Sequence, residues 1–263
     1  MATTVGQPPA ALGVTGSYQT RWWLAGVRQV IPWLRDRCLS TVWTALREAG
    51  VRWRRGRLHL HSPDWLYGAT VQRLATITWY TRQQPQRLAR LYQDEVTYYR
   101  RPTVGYDYTR VAEQPQPLAR QGLRANTARR IAGCLDAANG VVHAWQRAHF
   151  DHQTLLQFYQ EVEAAYPQAD QIFLIQDNWP VHRQPDLLAA LRDSKFTVVF
   201  LPTYAPWLNP MEKVWRKLYQ EVLHLHRRAA QWEALQANVQ TWLDQHRTPS
   251  TALLRYCGLL RPD

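Results

Sequence analysis

Lysine is nearly missing from this sequence. Of 32 basic residues only Lys195, Lys213 and Lys217 are lysines, so the positive charge is carried almost wholly by arginine. Cysteine is scarce as well. Cys38, Cys134 and Cys257 stand far apart and form no CxxC pair, which supports neither a zinc ribbon nor a disulfide framework. The expectation is three thiols buried as small hydrophobes in a reducing cytoplasm. No apolar run approaches the ~18–20 residues of a membrane span. The first basic residue is Arg21, so nothing before it reads as the charged and then apolar regions of a secretory signal. Glycine-rich phosphate loops, internal repeats and sustained heptads are also lacking. Secreted mini-protein, membrane protein, zinc ribbon and coiled coil are set aside on these grounds.

What remains is a globular composition. The chain has 263 residues, 46% of them hydrophobic and 20% charged, enough for one large domain or a domain plus a small module. The net charge of +12 is unevenly placed. Residues 1–90 hold 13 arginines against Asp36, Glu48 and Asp64, a balance of +10, which leaves +2 for residues 91–263. A basic module joined to a near-neutral domain points to an anionic polymer as partner, because phosphate contacts dominate nucleic-acid affinity. Arginine's planar fork suits phosphate and guanine better than a point charge does. The bland alternative is a solvated basic surface.

Residues 1–21 carry no periodicity and read as a flexible tail. Trp22–Leu34 reads as a helix interrupted near Pro32. Leu39–Glu48 reads as a second, with Leu39, Val42, Trp43 and Leu46 on its apolar face and Gly50 as its stop. Two short helices with a tight connection suit a helix-turn-helix module over 22–61. Arg47 and the run Arg52, Arg54, Arg55 and Arg57 around Trp53 are its candidate DNA contacts, the run serving as a wing or arm. Ser62-Pro63-Asp64 reads as the cap and start of a connecting helix to about Tyr80, and QQPQR (83–87) as the boundary that ends a 62–86 connector.

From Arg87 the pattern turns to strands. Leu88–Tyr99 is strand-like, and Gly105–Tyr108 reads as the continuation of a neighbouring strand. Arg129–Ala137 and Val141–Arg147 flank the hairpin signal Asn139-Gly140. Thr154–Tyr166, Leu187–Arg192, Asn209–His224 and Gln231–His246 read as helices. Ile172–Ile175 and Thr197–Leu201 read as strands buried on both faces. Three antiparallel strands, helix, strand, helix, strand, helix is the layout of a ribonuclease H-like α/β domain, placed at 87–250 with a tail over 251–263.

Three carboxylates stand out. Asp94 lies in the first strand, Asp177 ends the apolar strand IFLIQ, and Glu212 opens a helix in LNPMEKVW. Ligands in α/β sheets sit beyond the carboxyl ends of strands. If the first and fourth strands are neighbours, Asp94 and Asp177 face one another and Glu212 completes the set. Three hard oxygen donors suit Mg²⁺ or Mn²⁺, and two such ions can activate a water or hydroxyl and stabilise the leaving oxygen of a phosphodiester. Each residue also has a plainer reading. Glu212 sits where a capping box with Asn209 would place it, Asp177 could merely end a strand, and Asp94 could form a surface pair with Glu95. Alternation sends Asp94 and Glu95 to opposite faces, so at most one enters a site. Asp136 reads as a solvated hairpin end. His59/His61 and His224/His226 read as solvent-facing or phosphate-contacting. Most of the 13 tryptophans read as core, with Trp53 and Trp207 near nucleic acid.

QDE (93–95), QDNWPVH (176–182) and LPTYAPWLNPMEKVW (201–215) together resemble the DDE transposases of the mariner superfamily, most closely their bacterial insertion-sequence branch, the IS-six-thirty group. The 34 residues between Asp177 and Glu212 match that superfamily's spacing. The resemblance covers about residues 22–260. It implies a ribonuclease H-like catalytic domain in which Asp94, Asp177 and Glu212 hold two Mg²⁺ ions, with Mn²⁺ as substitute. It implies cleavage of double-stranded DNA at terminal inverted repeats with water as nucleophile. The freed 3′-hydroxyl then attacks target DNA, usually at TA. Asn178, His182 and Asn209 match polar positions around the triad, with orientation of the carboxylates and contact to DNA phosphate as their implied roles. Pro206 and Pro210 would rigidify the loop presenting Glu212. A homodimer assembled on paired ends and a place on the bacterial nucleoid in the cytoplasm are implied too.

One departure accompanies the resemblance. The family carries two helix-turn-helix units before its catalytic domain, and this sequence shows one, at about 22–57. Three readings follow: a transposase that cuts and joins DNA, a DNA-binding remnant or repressor without catalysis, and a nuclease that hydrolyses without joining.

Overall fold

The computed structural model describes residues 20–51, 61–108 and 117–260, and the side chains of residues 20–23 are not among those described. The chain divides into two compact units, Met1–His59 and Leu60–Asp263.

In the first unit, α1 (Thr20–Val30) runs into a short 3₁₀ turn at Pro32–Leu34, and α2 (Leu39–Glu48) follows. Proline locks φ and removes a donor, so the helix ends before it and restarts with Pro32 at the first position of the turn. Leu24, Val27, Ile31, Leu34, Val42 and Leu46 form a small core. Trp43, expected on the apolar face, is instead exposed, and the Arg47 guanidinium carbon lies 4.8 Å from its ring centroid. One helical stripe at i, i+3 and i+4 is wide enough for Val42 and Leu46 but not for their neighbour. Cys38 departs from the buried-thiol expectation as well. It is exposed beside the hydroxyls of Ser40 and Thr41, whose hydrogen bonds lower its pKa to about 6. Cys134 and Cys257 are buried as expected. Arg52, Trp53, Arg54, Arg55, Arg57 and His59 lie outside the described residues.

The second unit is a five-stranded mixed sheet. The strands are β1 (Leu88–Tyr99), β2 (Ala128–Asp136), β3 (Val142–Arg147), β4 (Gln171–Gln176) and β5 (Phe196–Phe200), in the order β3-β2-β1-β4-β5. β2 is antiparallel to β1 and β3, whereas β4 is parallel to β1 and β5. The helices are α3 (Tyr67–Gln83), α4 (His152–Ala164), α5 (Pro185–Arg192), α6 (Met211–Leu218), α7 (Trp232–Gln245) and α8 (Thr251–Cys257). Period-2 alternation gives the sheet two apolar faces. Ala89, Leu91, Cys134, Ile172 and Leu174 pack against Leu155, Phe158 and Tyr159 of α4. On the other face, Tyr98, Ile131 and Leu135 meet Met211, Val214, Trp215 and Leu218 of α6 and Leu235, Val239 and Trp242 of α7. This is the ribonuclease H-like mixed sheet with flanking helices read from the sequence.

Several local expectations differ from what is found. Residues 251–257, expected as a tail, form α8, because Leu253, Leu254 and Cys257 complete the apolar surface on α6. The connector α3 begins at Tyr67 rather than at a Ser62 cap. Its Leu74 and Ile77 pack with Tyr92, Ile175 and Val199, which makes it part of the second unit. Ser62 Oγ and Asp64 Oδ1 accept locally from Asp64 N and Leu66 N, and both side chains also reach across the fold: the Ser62 hydroxyl donates to Thr203 O at 2.6 Å, and Asp64 accepts from Thr203 N at 3.2 Å. Gly105–Tyr108 has no regular structure, and Tyr106 and Tyr108 are exposed. Asp136 is buried, not solvated: its carboxylate accepts hydrogen bonds from Tyr166 OH and Ala138 N. His224 and His226 are half-buried, and His224 Nδ1 lies 2.7 Å from Thr103 Oγ1.

Candidate active site

The parallel pairing of β1 with β4 ends at Tyr92–Ile175. Asp94 and Asp177 each stand two residues beyond that pair, so alternation returns both to the same level and the same face. The condition on which the sequence reading of this pair depended, β1 beside β4, therefore holds. Glu212 sits in the first turn of α6, the helix lying on that face.

A glycine lets α6 approach. Gly133 is the register partner of Asp94 on β2, and a Cβ there would stand 2.5 Å from Met211 Cε and 2.8 Å from Trp215 Cη2. With only hydrogen at Gly133, the Trp215 indole slides over it, and its Nε1–H donates to Asp94 Oδ2 at 3.1 Å. Neither Gly133 nor this role of Trp215 was foreseen. The only sequence signal was a glycine in the interior of a strand, which marks a close approach without saying of what.

The charges around Asp94 are unbalanced. Burial raises its pKa, and then Glu212, Glu95 and Asp177 raise it further, to about 8. Glu212 is raised too, by burial first and by Asp177 among its neighbours, against the opposing pull of Arg216. Asp177 behaves differently. Partial burial works to raise it, but hydrogen bonds from His182 and from Trp179 N–H outweigh that and leave it below the usual aspartate value. Its carboxylate accepts from Trp179 N at 2.9 Å and lies 3.1 Å from His182 Nδ1, while its side chain stays 52% exposed.

The surrounding polar residues are structural ties. Asn178 donates to Leu201 O at 2.7 Å and accepts from Arg183, joining the exit of β4 to that of β5. Asn209 is buried. Its Nδ2 donates to Gln93 O at 2.9 Å and its Oδ1 accepts from Met211 N at 3.1 Å, which clamps the start of α6 to β1. α6 itself begins at Met211 without the reciprocal capping box, because the Asn209 side-chain oxygen serves Met211 N and its main-chain N–H is already bonded to Pro206 O. His182, in the 3₁₀ turn Pro180–Arg183, is fully buried. Asn209 and His182 are both buried, where they tie main chain and carboxylate rather than face solvent. The Glu212 loop has its own pins. Pro206 opens the 3₁₀ turn Pro206–Leu208, Thr203 is tied to Ser62 and Asp64, and Trp207 Nε1 donates to Tyr67 OH at 3.0 Å.

Asp94, Asp177 and Glu212 thus influence one another across one strand end, and among the described residues the cationic side chains that act on them are His182, on Asp177, and Arg216, on Glu212. Among the described residues no three His, Cys, Asp or Glu side chains stand close enough to form a ready-made ion cage. A polar cleft of about 480 Å³ lies at the opposite edge of the sheet, around Leu88, Gln171 and Phe196, away from these carboxylates.

The family described as DDE superfamily endonuclease matches residues 89–236, more than half the chain and all of Asp94, Asp177 and Glu212. The chain belongs to this family. This DDE superfamily chain is similar to the insertion element IS630 uncharacterized 39 kDa protein of Shigella sonnei, with 26% identity over 199 residues. That match covers 74% of this chain and 56% of the relative, so the chain spans little more than half of the curated protein. Among solved structures, the Mos1 transposase paired-end complex with left transposon end aligns with a TM-score of 0.62 at 15% identity, over 96% of this chain and 74% of that one. The Mos1 mariner paired end complex with Mn aligns at 0.62 and 16%, over 96% and 77%. Identities this low speak for the shared fold. Among the described residues no helix is long and apolar enough to cross a membrane.

Proposed function

We propose that the chain is a metal-dependent DNA transposase of an insertion sequence, cutting phosphodiester bonds at the element's ends and joining the freed 3′-hydroxyl to target DNA. The observation that carries this reading is the placing of Asp94 and Asp177 at one level of the adjacent strands β1 and β4, with Glu212 in the first turn of the helix on that face and Asp94 driven up to about 8 by burial and its acidic neighbours. A carboxyl in that state lacks a positive partner, and the donor set fits Mg²⁺ or Mn²⁺. Two such ions, when bound, supply the charge that activates the attacking oxygen and steadies the leaving one. The side chains themselves orient and hold. The Trp215 indole N–H fixes one oxygen of Asp94, and Trp179 N–H with His182 fixes Asp177. The Asn209 clamp and the Pro206–Leu208 turn set where Glu212 is presented.

DNA is the substrate that the charge distribution supports. Residues 22–61 are the candidate helix-turn-helix module, with Arg47 and the run Arg52, Arg54, Arg55 and Arg57 as phosphate contacts. Residues 87–250 are the candidate catalytic domain. The transposase reading also entails a homodimer on paired terminal repeats and residence on the bacterial nucleoid. A strand-transfer assay on cognate ends with Mg²⁺ tests it: the native chain yields joined products, and Asp177→Ala does not. Joining that persists in Asp177→Ala refutes the assigned site. DNA retention in a gel without cleavage under Mn²⁺, by a folded chain, replaces the reading with that of a binding remnant. Cleavage without joining replaces it with that of a nuclease.

A further inference from the structure

Glu95 follows Asp94 and points to the opposite face of the sheet, toward α4, and its part in the site just described is confined to the negative charge it adds near Asp94. There it is the end of a buried polar chain. His182 Nε2 lies 2.9 Å from Glu95 Oε1, and His182 Nδ1 lies 3.1 Å from Asp177 Oδ1. His182 is fully enclosed, and the Glu95 side chain is 14% exposed. Gln93 Nε2 donates to the same Glu95 oxygen at 2.6 Å. Behind it, Tyr159 OH donates to Gln176 Oε1 at 3.0 Å. Gln93 Oε1 and Gln176 Nε2 are both buried without a partner. They stand one residue beyond the Tyr92–Ile175 pair on adjacent strands, an acceptor and a donor at the same level.

Resting on the function proposed above, we propose that Glu95 is a positioning residue for the metal-binding carboxylate of Asp177, acting through His182. An imidazole ring is rigid, so fixing one nitrogen fixes the direction of the other. With Glu95 on one side, the ring cannot swing away from Asp177, and the Asp177 oxygen it grips is held while the second stays free for an ion. An enclosed carboxylate costs stability unless it is hydrogen-bonded, so a merely architectural position would be served better by an apolar side chain. Gln93 sets Glu95 from the strand itself, while its main-chain carbonyl receives the Asn209 clamp, so one residue of β1 steadies the supports of both Asp177 and Glu212.

The test is Mn²⁺ binding to the full chain, measured without DNA from the free-ion signal in electron paramagnetic resonance, alongside thermal melting. Glu95→Gln is expected to weaken Mn²⁺ binding about 10-fold or more, in the range seen when a partner of a metal ligand is removed. Glu95→Asp, which keeps the charge on a shorter arm, is expected to restore part of it. Asp136→Asn breaks a buried carboxylate of the same sheet away from the site and is expected to lower melting while leaving Mn²⁺ binding within twofold of native. If Glu95→Gln does not fold, His182→Gln is judged by the same criterion. Mn²⁺ binding within twofold of native in the folded Glu95 or His182 variant, whatever its melting temperature, overturns the proposal. Asp177→Ala separates this from the broader reading: if it too leaves Mn²⁺ binding unchanged, the metal site itself is wrong.

Discussion

Two faces of one sheet meet at the active edge and treat adjacent carboxylates of β1 in opposite ways. On the α6 side, Asp94 accepts from neutral donors, the Trp215 indole and the main-chain N–H of Glu95, and is surrounded by apolar groups and other acids. On the α4 side, Glu95 receives the amide of Gln93 and a ring nitrogen of His182. The first carboxyl is pushed up to about 8, whereas the imidazole side of the edge holds Asp177 below its ordinary value. An acid supplied with partners is part of the scaffold. One left short of them is stabilised by a proton or a cation, which is what the metal role proposed for Asp94 requires.

Four measurements would break or sharpen this contrast. The largest effect is expected from Asp94→Asn, which should lower metal-dependent strand transfer about a thousandfold, the scale of losing a charge-stabilising group. Near-native rates in a steady-state joining assay would show that the α6 side is not the reacting side. Next is Gly133→Ala, whose added methyl meets Met211 Cε and Trp215 Cη2. Overpacking of this kind costs about 1–3 kcal/mol, read as a lowered denaturation midpoint, and should reduce joining because Trp215 is displaced from Asp94.

The third concerns pH. Asp94 has a raised folded pKa, so between its unfolded value near 4 and about 8 the native state holds more protons than the unfolded one. Stability in EDTA should therefore fall as pH rises through that window. His182, lifted to about 9 by hydrogen bonds to Asp177 and Glu95 that overcome burial, contributes stability that is full below about 6.5 and lost on rising through 9. Melting curves from pH 5 to 9 should thus slope downward, with Asp94→Asn flattening the lower part and saturating Mg²⁺ raising the upper. A rising slope in EDTA would contradict the charge imbalance. The smallest effect is expected in the first unit. Arg47→Ala should weaken DNA binding similarly on all sequences and reduce the salt slope by about one, as for a single phosphate contact. An unchanged salt slope in fluorescence titrations would assign that arginine to its stack on Trp43 alone.

Much of this could be read from residues along the chain. The apolar run around Ile172–Ile175 pointed to a buried parallel strand, whereas Thr197–Leu201, read the same way, is the parallel strand at the sheet's edge, with Thr197, Val198 and Phe200 half-buried; QDE, QDNWPVH and LNPMEKVW located the three acids. Alternation told that Asp94 and Glu95 part company, but not that the abandoned one would hold a histidine. Ser62 and Asp64 had the composition of a helix cap yet also serve the Thr203 loop, because a side-chain hydroxyl or carboxylate bonds whichever backbone C=O or N–H the fold brings nearest. Asp136 looked solvated beside Asn139-Gly140 and is sealed under Tyr166, a residue 30 positions away.

Periodicity, residue type and spacing are properties of neighbours in the chain, and they were enough to name the strands, the family resemblance and the acids. Protonation preference, the closeness of α6 to β2 at Gly133 and the bridge from Glu95 to Asp177 are properties of neighbours in space. They depend on which low-dielectric surfaces close over a charge and which donors arrive from distant segments, and those were decided only when the sheet and its helices packed together.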